Sequence, residues 1–220
     1  MSVARANVLG RVRAALGKRG RDESALAAAE ACIAAHARGP CPALPEDLVA
    51  HFLRRAHDMG STVEHCDRAE IPRRVAAYID ALDLVRASGA DASTGVCWPE
   101  FAALDWSAAG LRIEARPATG DDRLAVTGVF CAIAETGTMT ILSGAETPTA
   151  SILLPETHVA VVPGRRIVAG MEDAFALLRR ERAALPRAVN FVSGPSRTGD
   201  IEQTIVLGAH GPYRVHILVV

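Results

Sequence analysis

The chain has 220 residues, 50% hydrophobic and 22% charged, which suits one sizeable α/β core with a helical extension and excludes a largely disordered protein. A formal net charge of −1 and only 4% aromatic residues argue against bulk electrostatic binding to nucleic acid or membrane and against a base-stacking platform. Cys32, Cys41, Cys66, Cys97 and Cys131 are scattered without a C-x-x-C pair, so no zinc or iron–sulfur ligand run is present. Their odd number, with no signal peptide, predicts reduced thiols in the cytoplasm, and no apolar stretch is long enough to span a bilayer.

In chain order, residues 3–16 and 23–37 predict helices. The first carries Val8, Val12 and Leu16 at helical spacing, a stripe suited to docking. Residues 38–45, with three prolines and a glycine, read as a linker, dividing a helical extension and Pro-rich linker over 1–45 from an α/β domain over 46–220. Glu46 and Asp47 open a helix through Arg55 that closes near Gly60, the acids favouring its N-terminal dipole. Residues 61–66 alternate as a short strand, Pro72 starts a helix to about Ala81, and 84–85 is a weak strand. Residues 88–119 offer little beyond alternation at 111–114.

The second half is more legible. Strands are expected at 129–134 and 139–142 around a turn at 135–138, then at 158–162, 189–192, 204–207 and 215–220, with a helix at 171–184. Strands interleaved with helices predict an α/β fold, a three-layer α/β/α Rossmann-like sandwich with a mostly parallel or mixed sheet.

Two clusters stand out. Glu135-Thr136-Gly137-Thr138 puts a carboxylate in an apolar strand run, where packing has no use for it, and follows it with a glycine and two hydroxyls. After the apolar segment 189–192 comes Ser193-Gly194-Pro195-Ser196-Arg197-Thr198-Gly199-Asp200. Its amides, hydroxyls and the Arg197 guanidinium suit a phosphate or carboxylate, and a helix starting near Thr198 or Asp200 would add its positive dipole end. The structural alternative is a capped turn with Arg197 paired to Asp200 or Glu202. The segment is neither a G-x-S-x-G elbow nor a Walker A loop, and G-x-G-x-x-G is absent from the chain.

AIAETGT before an apolar strand, then LPETHVAVV, then SGPSRTGDIEQTIVLGAHGP, resembles the lactate-utilisation protein C family, the LUD-domain group. The resemblance implies a fold of the sugar-phosphate isomerase and coenzyme A transferase (NagB/RpiA/CoA transferase-like) superfamily. It also implies a role in bacterial oxidation of L-lactate to pyruvate, as an accessory subunit beside iron–sulfur protein partners, with no cofactor on this chain. An anionic small molecule would lie between Glu135 and the turn, held by Thr136, Gly137, Thr138, Ser193, Gly194, Ser196, Arg197 and Thr198. The alternative is a free-standing transferase or isomerase acting on a coenzyme A ester or sugar phosphate, with Glu135 as acid/base or nucleophile. A pure scaffold is the third reading.

His210, between Ala209 and Gly211, is a second catalytic candidate, whereas His158 and His216 read as structural. The histidines show no close metal-ligand spacing. Asp121-Asp122 is expected to cap the following element, and Arg179, Arg180 and Arg182 to form a solvated helix face.

Overall fold

The computed structural model describes residues 3–17, 22–82, 93–201 and 204–220. They form two compact units, Met1–Cys41 and Pro42–Val220. The first holds α1 (Val3–Ala15) and α2 (Glu23–Ala35). Asp22 caps α2, accepting from the Ala25 N–H at 3.0 Å, and His36 ends it in the left-handed region. Val8, Val12 and Leu16, the expected docking stripe, are exposed.

The second unit is built on six parallel strands in the order β1-β12-β7-β4-β2-β3. These are β1 (Thr62–His65), β2 (Thr94–Cys97), β3 (Arg112–Ala115), β4 (Leu124–Gly128), β7 (Thr157–Val162) and β12 (Arg214–Val219). β7 is buried along its whole length, as expected for a central parallel strand covered on both faces. On one face Val159, Val161 and Leu218 pack against Ile71, Val75 and Ile79 of α4 (Ile71–Ala81), with Trp98, Phe101 and Trp106. On the other, Ala160, Val162 and Ile217 meet Phe52 and Ala56 of α3 (Leu48–Asp58).

A second sheet, ordered β8-β5-β6-β9, shares that face with α3. It comprises β5 (Cys131–Ile133), β6 (Thr138–Leu142), β8 (Ile167–Val168) and β9 (Val189–Val192). Ala132 and Met139 turn toward the parallel sheet. Cys131, Ile133 and Leu142 pack against Ala174, Leu177 and Leu178 of a later helix, Met171–Glu181. The α/β sandwich therefore carries a small sheet within one outer layer.

Several expectations need correction. The apolar run at 129–134 is not one strand. β4 ends at Gly128 in the large sheet, and the chain re-enters as β5 in the small one after Val129-Phe130. The poorly legible 88–119 region holds β2, β3 and two short 3-10 turns. A short α5 (Ala150–Leu153) went unread, and the Met171–Glu181 helix, α6, stops before residue 184. No helix begins at Thr198: β10 (Arg197–Ile201) pairs antiparallel with β11 (Thr204–Leu207) as a two-stranded ribbon, so the expected dipole is absent there. Asp122 holds the preceding turn, accepting from the Thr119 N–H at 2.7 Å and from Arg116 at 2.7 and 2.8 Å. The weak strand at 84–85 lies outside the described residues.

Candidate functional site

The two glycine turns meet on α3. Gly137 has φ +67°, and a Cβ there would overlap the backbone of Arg55 and Ala56. Gly194 has φ +78°, and a Cβ there would overlap the carbonyl of Met59, just past the end of the same helix. Glycine is needed at both positions for backbone conformation and for close approach. The Glu135 carbonyl accepts from Arg55 Nε at 3.3 Å, and its N–H donates to Ala169 at 3.0 Å.

A chain of hydroxyls joins the turns. Thr136 Oγ1 lies 2.7 Å from Thr138 Oγ1, which lies 2.6 Å from Ser193 Oγ. Arg197 Nη2 donates to the Met59 carbonyl at 2.6 Å, satisfying a carbonyl at the end of α3. Ser196 is tied to the loop that carries His210: its N–H donates to Pro212 O, and its carbonyl accepts from Gly208 N, both at 2.9 Å.

Glu135 and His210 stand outside this network. His210 is exposed and the Glu135 carboxylate partly buried. A Cβ on Gly170 would lie 3.3 Å from Glu135 Oε2, 3.5 Å from Glu172 Oε2 and 3.8 Å from Asp173 Oδ2. Three carboxylates thus gather at the start of α6, where the helix dipole favours negative charge. The Glu135 carboxylate has no hydrogen-bond or ion-pair partner among the described residues, and none of these has three or more His, Cys, Asp or Glu placed to hold a metal ion.

Beside Arg197 opens a cavity of about 550 Å³, lined by Thr62, Tyr78, Pro195, Arg197, Tyr213 and Arg214 among others. Both tyrosines of the chain line it. The Arg214 guanidinium lies over the Tyr213 ring at 4.9 Å and reaches Glu156 only at 4.0 Å. Burial pushes the Tyr78 phenol above its ordinary pKa, so it stays a neutral donor. Two guanidiniums, a phenol and a hydroxyl around one space suit an anionic group. Thr62, Tyr78, Tyr213 and Arg214 escaped the sequence reading because they come from β1, α4 and the start of β12, and no local motif links them.

Behind the cavity, His216 is buried, stacked on Tyr78 at 4.1 Å, with Nδ1 2.8 Å from Thr62 Oγ1. Burial lowers its pKa to about 4, and the partly solvated Glu64 carboxylate 3.8 Å away does not offset this. His158 is fully buried with Nε2 2.8 Å from Thr127 Oγ1, and burial likewise lowers its pKa to about 4.

Residues 49–220 match the LUD domain. The chain is 37% identical over 91 residues to lactate utilization protein C of Bacillus licheniformis, covering 40% of this chain and 38% of that protein. It is 38% identical over 100 residues to lactate utilization protein C 1 of Bacillus mycoides, covering 44% and 43%. The chain thus spans about two fifths of the length of these relatives. A crystal structure of a DUF162 family protein from Deinococcus radiodurans shares the fold, with a TM-score of 0.53 at 23% identity over 81% of this chain and 99% of that one. No helix among the described residues is long and apolar enough to cross a membrane.

Proposed function

Since the chain belongs to the LUD domain family, we propose that it serves in lactate utilisation, as an accessory component holding an anionic small molecule in the Arg197–Arg214 cavity. Its partners are iron–sulfur subunits that carry the electrons of L-lactate oxidation to pyruvate. The family match over residues 49–220, with relatives named for lactate utilisation, carries this reading. The two guanidiniums lining this cavity support the ligand's charge, since both are cations suited to a carboxylate or phosphate.

The test is L-lactate oxidation in an extract lacking this protein, with purified variants added back. Wild type should restore the rate, and Arg197→Ala should restore roughly a tenth of it or less, as expected for losing a charged hydrogen bond to a ligand. Arg197→Lys, which keeps the charge, should fall between. No restoration by wild type would refute the role in lactate utilisation; full restoration by folded Arg197→Ala would refute the anion site.

The unpartnered carboxylate of Glu135 favours a second reading, a transferase or isomerase acting on a coenzyme A ester or sugar phosphate with Glu135 as acid/base or nucleophile. Glu135→Gln removes the charge and keeps the shape. Failure of that folded variant in the same assay would favour this reading, and full activity would remove it.

A further inference from the structure

A larger cavity, about 640 Å³, opens at the carboxyl ends of three neighbouring parallel strands. Trp98 directly follows β2, Val129 and Phe130 follow β4, and Pro163 follows β7. From β2 the chain moves outward to β3, then returns past β2 to β4 and on to β7. The cavity therefore sits where strand order reverses, the usual place for a ligand in an open parallel sheet. It shares no lining residue with the Arg197–Arg214 cavity.

Half of the polar side chains on its wall are already committed. Arg166 donates to the Phe130 carbonyl at 2.7 Å and to both oxygens of Glu181 at 2.9 Å. Arg182 lies 5.6 Å from the centre of the Phe130 ring, so it is not simply part of a solvated helix face. Ser143 Oγ accepts from the Ala188 N–H, and the Thr147 hydroxyl donates to the Leu142 carbonyl.

Among the uncommitted groups Glu146 is an exposed carboxylate, and three others bear on a ligand. Arg165 is exposed, with no ion pair or hydrogen bond among the described residues. Trp98 is 3% exposed, and its buried indole N–H has no acceptor there; the chain's other tryptophan, Trp106, donates to the Phe101 carbonyl at 3.0 Å. Glu100 is an exposed residue, yet its carboxyl lies against the end of β4, where a Cβ on Gly128 would overlap Oε1. Gly128 lacks a positive φ, so space for that carboxyl is what its missing side chain provides. Burial raises the Glu100 pKa against the opposing charge of Arg68.

We propose that this cavity is a second ligand site, taking a small organic carboxylic acid. Its carboxylate pairs with Arg165 and the Trp98 N–H, its apolar body lies along Phe130 and Pro163, and Glu100 supplies a carboxyl hydrogen bond to the head group. A bound anion beside Glu100 favours the protonated form, so binding takes up a proton and weakens as pH rises.

Calorimetric titration of the full chain with hexanoate and hexan-1-ol tests this. Hexanoate should bind saturably at one site per chain, more weakly as pH rises, and hexan-1-ol should give no saturable heat. Arg165→Ala, at an exposed unpaired position, should weaken hexanoate about tenfold or more with an unchanged melting temperature. Arg197→Ala should bind hexanoate as wild type does, which separates this site from the cavity of the proposed function. Absent hexanoate binding, equal binding by Arg165→Ala, binding of hexan-1-ol as tight as hexanoate, or loss of hexanoate binding in Arg197→Ala would each overturn the proposal.

Discussion

Thr138 Oγ1 and Ser193 Oγ lie 2.6 Å apart, joining two turns that are 55 residues apart in sequence. Thr138 is buried and also bonded to Thr136, whereas Ser193 is exposed. Thr138→Val should therefore cost about 1–2 kcal/mol, since it strips a partner from both neighbours, and Ser193→Ala less than about 1 kcal/mol, because water replaces the lost bond. Urea denaturation of the two variants checks the ranking; equal costs would contradict it.

The glycines beneath these turns are a sharper case. Ala at Gly137 or Gly194 meets both a left-handed backbone and the backbone at the C-terminal end of α3. Each should lower stability by roughly 3 kcal/mol or more, with loss of soluble yield. Gly199→Ala, with nothing within 4 Å of the added carbon, is the control and should be nearly neutral by thermal melting.

Acidification should destabilise the fold through His158 and His216. Both have folded-state pKa values of about 4, below the ordinary 6.5, because burial disfavours the charged ring. Their contribution is complete above about pH 6.5 and is lost as pH falls toward 4, because the unfolded chain takes up protons first. Each adds a slope of up to about 1.4 kcal/mol per pH unit in that window. His216→Phe, which keeps the stacking on Tyr78, should flatten the dependence of the urea midpoint on pH. An unchanged slope would exclude His216 as its source.

The Arg116–Asp122 pair acts at lower pH. Hydrogen bonds from Arg116 and from Thr119 hold the Asp122 carboxyl at a pKa of about 2. Its contribution is present above about pH 4 and is lost as pH falls toward 2. Asp122→Asn should cost about 1–2 kcal/mol at pH 7, with part of the Coulomb gain discounted because Arg116 is partly exposed. The difference between variant and wild type should close at pH 2, and a constant difference would argue against the pair.

Cysteine reactivity should divide the thiols by burial. Cys32 and Cys41 are exposed; Cys66, Cys97 and Cys131 are buried, and burial raises all three pKa values, that of Cys97 to about 11. A disulfide reagent at pH 8 should modify two thiols rapidly in the native chain and five in urea. Fast reaction of a third native thiol would mean that a buried cysteine opens readily.

What the chain's order alone determined was local. The alternation at 61–66, Pro72 at a helix start, the apolar run that became β7 and the two glycine turns follow from periodicity and backbone sterics, which act over a few residues. The same locality explains the errors. Val129–Ala134 reads as one apolar strand because hydropathy does not reveal that Gly128 ends a strand of one sheet and Cys131 begins a strand of another. A helix start is expected near Thr198 or Asp200, yet pairing with β11 extends that segment. Glu135 is visible as a carboxylate in an apolar run, and Arg197 as the cation of the polar glycine turn that follows 189–192. Only the tertiary structure decided that Thr138 bonds Ser193, that both glycine turns rest on α3, and that Arg197 and Arg214 share a cavity with the two tyrosines. Those contacts are set by the packing of α3 and α4 on the parallel sheet, a free energy spread over distant residues and absent from any local window of sequence.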